Sequence, residues 1–344
     1  MIEQQPNIVQ AGYVRRRLRW TLVTCLLAIL TLSLCITALI LGNTFYPLDT
    51  VVRVLLGEQV RGATFAIVTL RLPRMLSGLL VGMAFGMAGS TFQTMLRNPL
   101  ASPDIIGITS GSSVAAVFCI LVLKVSGRIV SITALAAGLM VAMLIYMLSK
   151  GGSFSGGKLI LIGIGVQAML SAVTSFLLLK ASQYDVPGAL RWLSGSLNGV
   201  QMTQITGLFI VVAIFGLAIV LLGRHIKILE LGEQTAVTLG LRVDITRLLL
   251  ILSAVFLIAF ATAVTGPVAF VAFLAGPIAS KLVGIGSSNE FPAGLVGAIL
   301  VLGADLIGHF AFNTRFPVGI ITGILGAPYL LYLLIRMNQT GGSA

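Results

Sequence analysis

Apolar residues in this chain come in long unbroken runs, without the period-two or helical alternation of half-buried elements in water-soluble proteins. Crossing a bilayer takes about 20 residues of helix. Runs of that order fall at roughly 20–42, 71–95, 107–124, 129–149, 159–180, 204–223, 248–266, 269–284, 292–312 and 317–336. In hydrocarbon every backbone N–H and C=O must be satisfied within the protein, which leaves helices or closed barrels. Continuous runs with no dyad period exclude the barrel. The pattern therefore predicts an all-α integral membrane protein, a ten-transmembrane-helix bundle forming one domain over 20–336, with an N-terminal segment 1–19 and a tail 337–344.

An even number of spans puts both termini on one side of the membrane. The cluster RRRLR at Arg15 to Arg19 marks that side as cytoplasmic, since basic residues are retained inside. Three loops are long enough to hold structure. Residues 43–70, outside, contain LDTVVRVLLG, which reads as a short surface helix; residues 181–203, also outside, should be broken up by Pro187 and several glycines. Residues 228–244 form the largest internal loop, where Gly232 and Gly240 bracket a short helical piece and Glu230 and Glu233 lie among Arg224, Lys227, Arg242 and Arg247.

Composition sharpens this picture and removes rivals. The chain is 57% hydrophobic and 9% charged, more apolar surface than one water-soluble core can hide. A net charge of +12 would suit nucleic acid if it formed one stripe, but the basic residues are scattered from loop to loop. Three cysteines, Cys25, Cys35 and Cys119, all lie in apolar runs and offer no disulfide framework. Two histidines, His225 and His309, are too few for a metal site, so no bound ion is expected. Gly152, Gly157 and Lys158 satisfy the first part of a P-loop pattern, but Leu159 stands where Ser or Thr would hold magnesium, and a span follows at once. No set of nucleophile, base and orienting group presents itself.

Several constellations invite two readings each. Gly78, Gly82, Gly86 and Ser90 recur every four residues in the second run, a stripe of small residues that lets another helix approach closely. Gly107, Gly111 and Ala115, and then Gly319, Gly323 and Ala327, repeat the pattern. Arg71 and Arg74 sit at the outer end of the second span, against the basic-inside tendency; they are either interfacial anchors or contacts for carboxylates on a partner. Gln167, Ser171 and Thr174 form a polar stripe on the fifth span, either glue between helices or the wall of a pathway. Asp305 reads as the only carboxylate deep within a span, a functional candidate or a partner for His309 one turn away.

RLPR at 71–74, RNPLASPD at 97–104 followed by GITSG, LELGEQTAVTLG at 229–240 and FPVGIITGILGAP at 316–328 together resemble the FecCD family, permease subunits of bacterial ABC importers for ferric siderophores, haem and vitamin B12. The resemblance runs from Trp20 to Arg336 and implies a fold of the vitamin B12 importer type. It implies that Arg71 and Arg74 receive glutamates of a periplasmic or lipid-anchored solute-binding protein. The family's third basic residue at this end falls on His309, a departure that Arg315 is expected to offset. The loop with Glu230, Gly232, Glu233, Ala236 and Gly240 would couple to a partner ATPase, and the gate pair of the cytoplasmic loop would fall on Ser155 and Gly156. Gln167, Ser171 and Thr174 would face the pathway. The partners implied are a homologous permease subunit, as heterodimer or homodimer, and two ATP-binding subunits that carry the ATP and magnesium, with no cofactor on this chain. IGIGVQAML, LLLKAS and GSLNG look most like the ferric enterobactin branch, which makes a catecholate ferric siderophore the leading cargo. Haem or cobalamin on the same machine, or an ion-coupled secondary transporter, are the alternatives.

Overall fold

Each apolar run is helical in the computed structural model, which describes residues 8–149, 156–284 and 287–341. The order is α1 (Ile8–Ile40), α2 (Leu48–Leu55), α3 (Leu72–Met95), α4 (Ile108–Leu121), α5 (Arg128–Ser149), α6 (Gly156–Lys180) and α7 (Val186–Leu193). Then come α8 (Met202–Val211), α9 (Leu217–Leu221), α10 (Gly223–Glu230), α11 (Glu233–Thr238), α12 (Val243–Thr265), α13 (Val271–Val283), α14 (Glu290–Phe310) and α15 (Val318–Gly341). Among the described residues seven helical stretches are long and apolar enough to cross a membrane, while α4, α13 and the Val318–Leu333 part of α15 are shorter apolar helices at the positions of the remaining three runs.

Local chemistry explains several boundaries. A π-helical turn, Phe65–Arg71, leads into α3 without a break. Pro73 lacks an N–H and its ring crowds the carbonyl four residues back, so a widened turn just before it relieves the clash. Pro187 does not break the outer loop as expected; it occupies the first turn of α7, where a missing N–H costs nothing. The surface helix expected in 43–70 is α2. The helix α1 extends ahead of the first apolar run, from Ile8, and α15 runs past the last one, to Gly341. Where the apolar run begins, α1 is tied to the bundle: Arg19 donates to the carbonyls of Leu282 and Lys281, and the Trp20 indole donates to the carbonyl of Ser288.

The helix α3 is the central strut, buried from Leu80 through Phe92 except at Met83. It packs against α12, α13 and α14, and α4 and α5 pair with each other against α12. The glycine stripe makes this possible. A Cβ added at Gly82 would stand 2.5 Å from the Cα of Ala298 on α14, and one at Gly86 would stand 2.1 Å from the carbonyl oxygen of Ala293. Farther along, Ser90 is buried and its backbone lies against Gly276 of α13, so the stripe turns from one neighbour to the next. Gly111 packs on Val141 of α5 and Gly319 on the Ser194 carbonyl, but a Cβ at Gly323 would meet nothing within 4 Å. The small-residue stripe of α15 is thus only partly used within this chain. The helix α6 is likewise exposed along most of its length.

Candidate functional site

At one end of the strut, the start of α3 and the end of α14 close a cavity of about 370 Å³ lined by Arg71, Arg74, Asn198, Asp305, His309 and Arg315 among others. The structure brings all four predicted basic positions together. Each is differently engaged. Arg71 donates from Nη1 to the carbonyls of Leu39 (2.8 Å) and Ile40 (2.7 Å) and from Nη2 to that of Thr44 (2.5 Å), and its guanidinium lies 4.8 Å from the centre of the Tyr46 ring. It therefore caps the C-terminus of α1, where unpaired carbonyls and the helix dipole favour a cation. Arg74 makes a two-pronged pair with Asp305, Nε to Oδ2 at 2.8 Å and Nη2 to Oδ1 at 2.9 Å.

That pair corrects one expectation: Asp305 is held by Arg74 across the α3–α14 seam, not by His309 on its own helix. A carboxylate prefers a guanidinium that offers two parallel N–H groups to a single imidazole N–H. His309 is half-buried, stacked edge-on against Phe310, and its Nδ1 has no hydrogen-bond partner among the described residues. Arg315 is exposed and donates to Asn43 Oδ1 at 2.7 Å.

A second cleft, of about 480 Å³, runs beside α6. Gln167, Ser171 and Thr174 all line it, with Ser175 of the same helix and Thr109, Ser110 and Ser113 of the adjoining α4. Pro267 to Ala269 and the first turn of α15 close another wall. Hydroxyl groups that sit on helices can bond their own backbone, as Thr174 does to the Leu170 carbonyl, and so present a weakly polar surface without leaving groups unpaired. Sequence reasoning missed the hydroxyls of α4 and Ser175, and also a carboxylate: Asp104 lines this cleft, paired with Ser102 and Thr109 at a 3-10 turn before α4. The proline in SPD and the left-handed Gly107, with φ of 71°, were the signals that the chain turns back here before α4 begins.

At the opposite end of α3, the internal loop folds as α10 and α11. Gly232, with φ of 117°, and Gly240, with φ of 81°, form the corners, and Ala236 is fully buried. Glu230 pairs with Lys227 (3.2 Å) and Glu233 with Arg247 of α12 (3.0 Å). Arg97, just past α3, reaches the loop: a Cβ at Gly232 would stand 3.6 Å from its Nη2. Nearby, Glu290 is buried at the start of α14, with Oε2 accepting from Ser288 Oγ and Oε1 unpaired among the described residues. Gly156 is the first residue of α6, and Ser155 lies outside the described residues. Among the described residues no group of three or more His, Cys, Asp and Glu is arranged to hold a metal.

The FecCD transport family matches residues 27–336. The ferric enterobactin transport system permease protein FepG of Escherichia coli (strain K12) is 38% identical over 332 residues, 95% of this chain and 99% of that one. The achromobactin transport system permease protein CbrC of Dickeya dadantii (strain 3937) is 36% identical over 337 residues, 95% and 96% of the two chains. Among solved structures, one described as an inward-facing conformation of a metal-chelate type ABC transporter superposes with a TM-score of 0.81 at 25% identity, covering 91% of this chain and 99% of that one.

Proposed function

This chain belongs to the FecCD transport family, and from that premise we propose that it is the membrane permease subunit of an ABC importer moving a ferric siderophore, of catecholate type, across the bacterial cytoplasmic membrane. Relatives at 38% and 36% identity over nearly the whole chain, both siderophore permeases, support this reading. In it the chain supplies half of the conduit and a homologous permease subunit the other half, placed against the exposed faces of α6 and α15. Two ATPase subunits sit below and a solute-binding protein above, and both termini are cytoplasmic.

The arrangement that carries the mechanism is one rigid helix with a different recognition surface at each end. The cationic cavity around Arg74 and Arg315 suits carboxylates of a docking protein. The α10–α11 wedge, seated on α12 through Glu233 and Arg247, suits a groove on an ATPase, whose closure would tilt the helices attached to it. The hydroxyl-lined cleft beside α6 suits a bulky, oxygen-rich chelate, which needs a wide and weakly polar wall.

Reconstitution of the complete importer in vesicles, with ferric enterobactin, a ferric hydroxamate and ferric citrate offered in turn, tests this. ATP-dependent uptake of the catecholate chelate above the others is expected. Uphill transport by this chain alone, without an ATPase, would sink the reading, and preference for another chelate would overturn the cargo.

A further inference from the structure

The outer cavity holds three arginines and a single carboxylate, Asp305, among its described lining residues. The three cations are not equivalent. The Arg71 hydrogen bonds described above all go to backbone carbonyls, two at the end of α1 and one at Thr44 just beyond it, and its remaining contact is the Tyr46 ring, which fixes it as part of the fold. Arg315 is exposed and bonded to one neutral amide. Arg74 lines the cavity with a two-pronged guanidinium, and that fork is already occupied.

Asp305 takes the Nε and Nη2 edge of the guanidinium, and its side chain is 11% exposed against 25% for Arg74. A carboxylate arriving from outside has two routes. It can take the remaining Nη1 edge and face the Asp305 charge at close range, or it can displace Asp305 into a poorly solvated position. Both routes cost free energy, because like charges repel strongly where water is scarce. The same pair also ties the outer end of α3 to the outer end of α14, so displacing it releases a contact between helices.

We propose that Asp305 is a built-in competitor for Arg74, an internal stand-in for the docking partner's carboxylate that keeps docking reversible and is exchanged when the binding protein seats. This rests on the docking role assigned to the cavity above. A tie of this kind gives the permease a reason to keep an acid inside a cationic cavity: with Asp305 silent, the binding protein would stay bound after delivering its cargo.

The experiment uses the assembled importer in nanodiscs and the solute-binding protein of the same import system, with affinity and rates read by interferometry. Asp305→Asn keeps the shape and one acceptor but removes the charge, and about tenfold tighter docking is expected, mainly through slower dissociation. Arg74→Ala is expected to weaken docking by about tenfold or more. Asp305→Ser, smaller and equally neutral, serves if the Asn variant fails to assemble, and must shift affinity in the same direction. If Arg74→Ala weakens docking while the neutral variants dock equally or more weakly, Asp305 is a positioning strut and the competitor idea is overturned, with the docking site intact. No effect of Arg74→Ala would remove the docking reading and the competitor with it.

Discussion

Gly86→Ala probes the seam on which the architecture depends. Gly86 meets α14 backbone to backbone: an added Cβ would lie 2.1 Å from the Ala293 carbonyl oxygen, 2.9 Å from its carbon and 3.1 Å from the Gly294 Cα. Ordinary C···O contacts are about 3.3–3.6 Å, so the helices must part by roughly 1 Å. The parting cannot stay local, because Gly82 and Gly297 are equally tight one turn away; a Cβ at Gly297 would stand 2.1 Å from the Gly82 carbonyl oxygen. A gap of this size forfeits about a quarter to a half of the dispersion energy along the seam. Overpacking of this kind costs about 1–3 kcal/mol. Against it stands the helix propensity of Ala over Gly, about 1 kcal/mol in the other direction. The control is Gly165→Ala on exposed α6, where a Cβ meets nothing within 4 Å and only the propensity gain applies. Unfolding both variants in mixed micelles, followed by tryptophan fluorescence, should place Gly86→Ala below wild type and Gly165→Ala level with it or above. Equal stability of the two alanine variants would refute backbone contact between α3 and α14.

Two further substitutions separate structural from functional charges. Arg71→Ala removes the donors to the carbonyls of Leu39 and Ile40 at the end of α1 and of Thr44 beyond it, and should lower stability by about 2 kcal/mol in the same unfolding assay; a stable variant with weakened binding-protein docking would instead make Arg71 a docking residue. Glu233→Lys places a cation beside Arg247, now 3.0 Å from the carboxylate, and should leave ATP hydrolysis of the assembled importer running while uptake falls severalfold; normal coupling of the two rates would reject the role of the α10–α11 wedge.

How far the sequence could be read followed from the range of each interaction. Hydrophobic run length is local, so each run was found at its place, and the glycine corners of the internal loop announced themselves because φ of 117° at Gly232 suits no other residue well. Partners distant in sequence were invisible. Asp305 lies 231 residues from Arg74, so of its two open readings, a functional acid or a partner for His309, neither pointed to the arginine that holds it. The acceptors of Arg71 are backbone carbonyls, which carry no residue signature at all. Asp104 was passed over because it stands outside every long apolar run; only the return of the chain at Pro103 and Gly107 brings it beside α6. Within α15, spacing alone suggested that Gly319 and Gly323 were equivalent, whereas the fold uses one and leaves the other open.

The seam between α3 and α14 also dictates where movement is cheap. Two helices in backbone contact over several turns move as one body, because separating them sacrifices packing all along the line. The cleft beside α6 lies outside that body, between α4 and α6 on one side and the Pro267–Ala269 segment and α15 on the other, and α6 buries little of its surface within the chain. Widening or narrowing the cleft therefore disturbs few packed contacts. Ser171, exposed on that wall, is the place to test it. Ser171→Phe adds bulk to the cleft without touching the seam, so the unfolding midpoint should stay within about 0.5 kcal/mol of wild type. Chelate uptake by the reconstituted importer should fall at least tenfold while docking and ATP hydrolysis persist. If uptake is undiminished, the cleft is not the route, and the polar stripe Gln167, Ser171 and Thr174 serves to hold a neighbouring helix in place.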